Sequence, residues 1–198
     1  MMKKTIMALC GVFAATAFLN AADANLWMDG SFEKTKVATA EEQAKFKAKK
    51  WDTDHQGMLQ PGWCPAKKVH QMRLVDCAKD PEQEDNVRSG VKSLMLKSAG
   101  HFFTAKKFSR GKYKLEMFVK GEGKIRVITY IYAKNGAYKG QVALHGGLIQ
   151  TGNDWKKLSY TTEMGKGKED VTHFVIAIAC TDGKPVYLDD ISLTKVEK

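Results

Sequence analysis

Three tyrosines stand close together in mid-chain: Tyr130, Tyr132 and Tyr138. Side chains of an extended strand alternate between its two faces, so Tyr130 and Tyr132 project from the same one. Asn135-Gly136 is a type I′ hairpin signal that would return the chain and set Tyr138 across from them. Rings grouped in this way offer flat apolar surface, and the C–H faces of sugars stack on such surface while polar neighbours fix orientation. Arg126, Gln141 and His145, on the same strands or just beyond, are the candidates for those polar contacts. The same tyrosines also suit simple packing, because aromatic and β-branched residues are good strand formers.

A second constellation lies near the end of the chain. Val186 to Leu193 reads VYLDDISL, two apolar runs around the carboxylates Asp189 and Asp190. One of the two must point inward, and an inward carboxylate is unfavourable unless it is paired or bound to a metal. The stretch Asn25 to Glu33, NLWMDGSFE, offers a partner in Glu33. A first strand carrying Glu33 beside a last strand carrying Asp190 would clasp the termini, and hard oxygen ligands of this kind suit calcium.

Catalytic chemistry finds less support. Tyr132 to Tyr138, YAKNGAY, superficially resembles the Tyr-Lys-Gly-Tyr strand motif of jelly-roll alginate lyases. That would cast Tyr132, Tyr138, His145 and Arg126 as acid, base and charge-neutralising groups. The arginine-rich strand and Gln-x-His motif that accompany it in those enzymes do not occur in the sequence, and the stretch lies mid-chain instead of near the end. No strand outside the terminal pair offers two carboxylates facing across a cleft for glycosidase chemistry. A G-x-S-x-G nucleophile motif does not occur. The expectation is therefore a non-enzymatic protein.

The elements that must position these groups read as strands. Residues 1–22 have the three parts of a secretory signal: Lys3 and Lys4, an apolar run from Ile6 to Leu19, and a small-residue exit at Asn20-Ala21-Ala22. The apolar run is too short for a membrane span. Residues 23–198 are then one domain, with no repeat or Pro/Ser-rich linker dividing them. The full chain carries a net charge of +10, two units of it from Lys3 and Lys4. For an exported protein this points to anionic glycans or an envelope surface in preference to nucleic acid. An exported chain also permits disulfides. Cys64 and Cys77 flank a Pro-bearing loop and form the expected pair, while Cys180 reads as a buried thiol.

Thr39-Ala-Glu-Glu42 is a capping-box pattern, and residues 40–50 have helix-forming composition, giving one short helix inserted after a first strand at Leu26 to Glu33. Trp51 to Pro65 is a Gly- and Pro-bearing loop with two tryptophans that could cap a cleft, whereas Trp27 and Trp155 read as inward-packed. Later strands are predicted over 70–76, 93–97, 102–108, 112–120, 124–133, 138–144, 155–162, 173–180 and 186–195, separated by turn signals as in an antiparallel sandwich.

Four stretches in this order, NLWMDGSFE, GVKSLMLKS, GKYKLEMFVKGEGK and VYLDDISLTK, resemble the β-jelly-roll carbohydrate-binding modules appended to bacterial glycoside hydrolases. The resemblance runs from about Asn25 to Lys195. It implies an all-β antiparallel sandwich of the galactose-binding-like jelly-roll type, and a polysaccharide held on the concave sheet face. It also implies a structural calcium at Glu33 and Asp190, and here the turn that often adds ligands, Arg88-Ser89-Gly90, brings no carboxylate. The alternative is an envelope or adhesion protein that uses the same sandwich as a scaffold with its aromatics buried.

Overall fold

A computed structural model describes residues 25–27, 29–37, 39–41, 44, 59–60, 63–65, 72–97, 101–104, 108–144, 147–165 and 171–196, with backbone alone for 59–60, 63–65, 101–104 and 171. Among the described residues there are thirteen strands: β1 (Lys36–Val37), β2 (Leu59–Gln60), β3 (Trp63–Pro65), β4 (Met72–Asp76), β5 (Lys92–Leu96), β6 (His101–Thr104), β7 (Gly111–Gly121), β8 (Lys124–Ala133), β9 (Tyr138–Ala143), β10 (Ile149–Gln150), β11 (Lys156–Met164), β12 (Val171–Cys180) and β13 (Val186–Val196). The 3₁₀ helix Pro81–Asn86 joins β4 to β5. A five-stranded sheet has the order β11-β7-β13-β5-β4, and a six-stranded sheet the order β10-β8-β12-β6-β3, with β9 also paired to β8. All pairings are antiparallel. The antiparallel β-sandwich expected from the sequence is the fold.

The core lies between the sheets and follows from strict alternation. On β7, Tyr113, Leu115, Met117 and Val119 are buried and the residues between them are not. Their counterparts across the interface are Ile125, Val127 and Ile131 of β8 and Phe174, Ile176 and Ile178 of β12. Trp27 and Phe32 join the same core, as the inward reading of Trp27 expected.

Two expectations about the ends need correction. Residues 26–33 form turns instead of a strand, although Leu26 N–H donates to Leu193 O at 2.7 Å and Ile191 N–H to Gly30 O at 3.0 Å. The segment thus docks on β13 by single bonds, with Asn25 Oδ1 accepting from both Trp27 N and Leu193 N at 2.9 Å. The expected helix is seen at Ala40, Glu41 and Ala44, and the remainder of 40–50 lies outside the described residues. So do the signal segment 1–22, Trp51 and His145.

The expected Cys64–Cys77 disulfide is also corrected, because Cys77 is a free thiol. Cys64 is on β3 of the six-stranded sheet, whereas Cys77 follows β4 of the five-stranded one. The 133–136 turn differs from the expected type I′ as well. Gly136 alone takes a left-handed φ of 83°, with its N–H bonded to Ala133 O, so Lys134 and Asn135 keep ordinary conformations.

Gly30 shows how closely the N-terminal segment approaches β13. A Cβ there would collide with the carbonyl of Ile191. Gly30→Ala should force the segment off β13 and destabilise the fold by about 1–3 kcal/mol, read as a lower urea midpoint with an unchanged transition slope.

Candidate functional site

Simple alternation along β13 would send Asp190 inward. The strand prevents this with a bulge: Asp189 pairs with Phe118 and Ser192 with Glu116, so β13 holds one residue more than β7 over that interval. Asp190 takes the extra place at φ 49°. The bulge resets the parity, and Ile191 and Leu193 return to the core behind Val186 and Leu188. The fully buried carboxylate is therefore Asp189, not Asp190.

Asp189 lies beneath the turn that leads into β5. Its Oδ2 accepts the N–H groups of Arg88 at 2.9 Å and Ser89 at 3.2 Å, and its Oδ1 accepts Asp190 N–H at 2.7 Å. Burial raises its pKa to about 7, against the pull of those three donors and with help from the neighbouring charge of Asp190. The Arg88 guanidinium sits 4.4 Å above the Phe118 ring, a cation–π contact that fixes the turn over the sheet.

Glu33 and Asp190 reach this turn from opposite ends of the chain. Glu33 Oε1 accepts from Val91 N and Lys92 N, both at 2.9 Å, and Ser89 Oγ donates to Asp190 Oδ1 at 2.7 Å. Lys92 sends its ammonium back to the Glu33 carbonyl at 2.9 Å and the Thr35 carbonyl at 3.2 Å. Asp29 is occupied locally, by Lys34 N and the Thr35 hydroxyl. Calcium takes about six to eight oxygens. Of the four oxygens on Glu33 and Asp190, two already accept hydrogen bonds, and the two carbonyls alongside hold an ammonium. Among the described residues no group of three or more His, Cys, Asp or Glu is arranged to hold a metal. This donor set does not fit calcium.

The tyrosine cluster lies elsewhere, on the outer face of the six-stranded sheet. On β8, Ile125, Val127, Thr129, Ile131 and Ala133 point to the core side, which leaves Arg126, Ile128, Tyr130 and Tyr132 on the other. Register extends that face across neighbouring strands. Tyr130 is flanked by Gln141 of β9 and Val175 of β12, and Tyr132 by Tyr138 and His173. Tyr138 meets Tyr130 with ring centroids 6.2 Å apart, and Tyr132 edge-on at 5.9 Å. Tyr138 is 56% exposed, whereas Tyr130 and Tyr132 are half-buried. Burial, and then the neighbouring phenols of Tyr138 and Tyr132, raise the pKa of Tyr130, so it remains a neutral phenol at physiological pH. Ile128, Val175 and Ala177 make an apolar floor beyond it. At the far end of β8, Arg126 keeps a buried Nε with no hydrogen-bond partner.

Five of the six expected ligand contacts are thus placed on strands β8 and β9, and His145 lies outside the described residues. His173 and Val175 went unanticipated because only the β8–β12 register puts them beside the tyrosines. The alternation on β12 held a clue: Phe174, Ile176 and Ile178 are bulky, while Ala177 and Ala179 on the other face are small.

Neither a protein-family model nor a curated protein sequence matches this chain. Solved structures do. The CBM22-1 xylan-binding domain of Xyn10C from Paenibacillus barcinonensis superposes with a TM-score of 0.51 at 13% identity, over 69% of this chain and 87% of that domain. The fold is an antiparallel β-jelly roll like that of this domain. The CBM22-1–CBM22-2 tandem of the same protein matches at a TM-score of 0.50 and 13% identity, over 69% of this chain and 41% of the tandem. Among the described residues, no helix of this jelly roll is long and apolar enough to cross a membrane.

The buried carboxylate makes stability depend on pH with a definite sign. Between its ordinary value of 3.8 and its folded value of about 7, Asp189 is protonated in the folded protein and ionised in the unfolded chain. Its contribution is complete in acid and is lost as pH rises through that interval. The melting temperature of the wild type should fall relative to that of Asp189→Asn as pH rises from 4 to 7. Parallel pH profiles for the two proteins would assign the pH dependence to other groups.

Proposed function

We propose that this protein is a secreted, non-catalytic carbohydrate-binding module whose ligand is a polysaccharide bearing acidic groups. The observation that carries the reading is the pairing of an exposed aromatic platform with an unpaired arginine on one strand face. Tyr138 with Tyr130 and Tyr132 supplies surface for a sugar ring, and Gln141 stands beside Tyr130 as a hydrogen-bonding group. Arg126 follows on the same face, about 13 Å along the strand from Tyr130 at ~3.3 Å per residue. A glycan lying along β8 would span several units from the stack to the guanidinium.

An arginine without a partner in a partly desolvated position favours a carboxylate or sulfate, which it can engage with two parallel N–H donors. The net charge of +10, two units of which lie in the signal segment, supports the same choice of ligand. The similarity to a xylan-binding domain supports the binding role and leaves the glycan to be identified.

The test is a glycan array of the mature protein with neutral and acidic polysaccharides, followed by calorimetric titration of the strongest ligand. Tyr130→Ala should weaken binding by roughly tenfold, the loss of one stacking contact of about 1–1.5 kcal/mol. Arg126→Gln should reduce affinity for the acidic glycan and its salt dependence while sparing neutral ligands. Binding that ignores both substitutions, or salt-sensitive adhesion to every polyanion alike, would overturn this reading in favour of a scaffold role.

A further inference from the structure

The terminal clasp, taken by itself, poses a charge problem. Two main-chain carbonyls of the N-terminal segment, Glu33 and Thr35, converge on one point beside the Glu33 carboxylate. Thr35 is fully buried, so its carbonyl depends on a protein donor. In the modules this chain resembles, a calcium ion is the expected answer. Here a side chain already occupies the point where the carbonyls meet.

We infer that Lys92 is a built-in cation of the clasp: its ammonium, seated on the carbonyls of Glu33 and Thr35, does the work of a bound metal. Three features support this. Lys92 bonds the N-terminal segment three times, through its ammonium to the Glu33 and Thr35 carbonyls and through its main-chain N–H to the Glu33 carboxylate. It therefore ties side chain and backbone of one residue to the first residue of β5. Its position is also set by the sheet, since β5 pairs Lys92 directly with Asp76 of β4, whose own carboxylate is engaged by Lys79 and leaves the Lys92 ammonium to the two carbonyls. Finally, the other carboxylates at the turn are satisfied by N–H and O–H donors: Asp189 by three main-chain N–H groups, Asp190 by Ser89. Donors aimed at carboxylate oxygens take the lone pairs that a metal would need. The clasp is thus complete in protein groups.

A covalently attached cation behaves differently from a bound one. Chelators cannot remove it, and its effect does not vary with metal concentration, as the stabilisation by a dissociable ion does.

The experiment is thermal unfolding of the full mature chain in excess chelator and in excess calcium, with calcium titration calorimetry alongside. The wild type should melt at the same temperature in both and show no saturable calcium heat. Lys92→Met, which keeps the chain length and loses the charge, should melt lower by roughly 5–10 °C, from the loss of charged hydrogen bonds in a domain of this size. Lys34→Met, which removes a nearby exposed charge that serves neither carbonyl, should melt like the wild type. A melting temperature that drops in chelator, or one-to-one calcium binding by the wild type, would overturn the inference, and both readings hold even if Lys92→Met does not fold. An undiminished melting temperature for Lys92→Met would overturn it equally.

Discussion

One carboxylate without access to water organises an end of this molecule. Asp189 is held by the N–H groups of Arg88, Ser89 and Asp190, and a group so placed is stable only while its donors stay in position. The turn at 88–92 is therefore fixed over the five-stranded sheet. Once fixed, it presents the N–H groups that Glu33 accepts, and through Glu33 the N-terminal segment is joined to β5. The left-handed residue Asp190 makes this possible, because its extra place in the strand puts Asp189 under the turn and returns Ile191 to the core. An L-residue held at positive φ is a strained choice, tolerated where surrounding structure fixes it.

The clasp and the tyrosine platform stand on different sheets. Hydrogen bonds of the clasp run along β13 and β5, whereas the platform is built on β8, β9 and β12. The inter-sheet core of Leu115, Met117, Ile176 and Ile178 separates them. A change in ring composition on β8 need not disturb the groups that join the termini. Such separation is the physical basis on which one sandwich can serve many ligands, since the binding face adds little to the core it rests on.

The long strands were legible because they are long apolar or alternating runs bounded by turn signals. Lys124–Ala133 has the predicted bounds, and Gly111–Gly121 and Val186–Val196 extend past them by a residue at one or both ends. Short strands such as Ile149–Gln150 leave no periodic signal, and two residues are too few to show one. The face shared by Tyr130 and Tyr132 followed from period two alone, while His173 depended on cross-strand register, which a single sequence does not encode locally. Which of Asp189 and Asp190 faces inward stayed open for a related reason. Alternation carried through the DD pair assumes an unbroken strand, and nothing in the residue types announces the bulge. The disulfide reading rested on closeness along the chain, whereas Cys77 is a free thiol and the two cysteines lie on or beside strands of different sheets.

The position of β13 bears on how the chain can be made. The last strand in sequence is central in its sheet, paired with β7 on one side and β5 on the other. A nascent chain that emerges amino end first holds β4, β5, β7 and β11 with the middle of their sheet missing, and β5 and β7 cannot join until β13 is added. Contacts of such long sequence separation form late and together. The five-stranded sheet therefore closes only when β13 docks between β5 and β7.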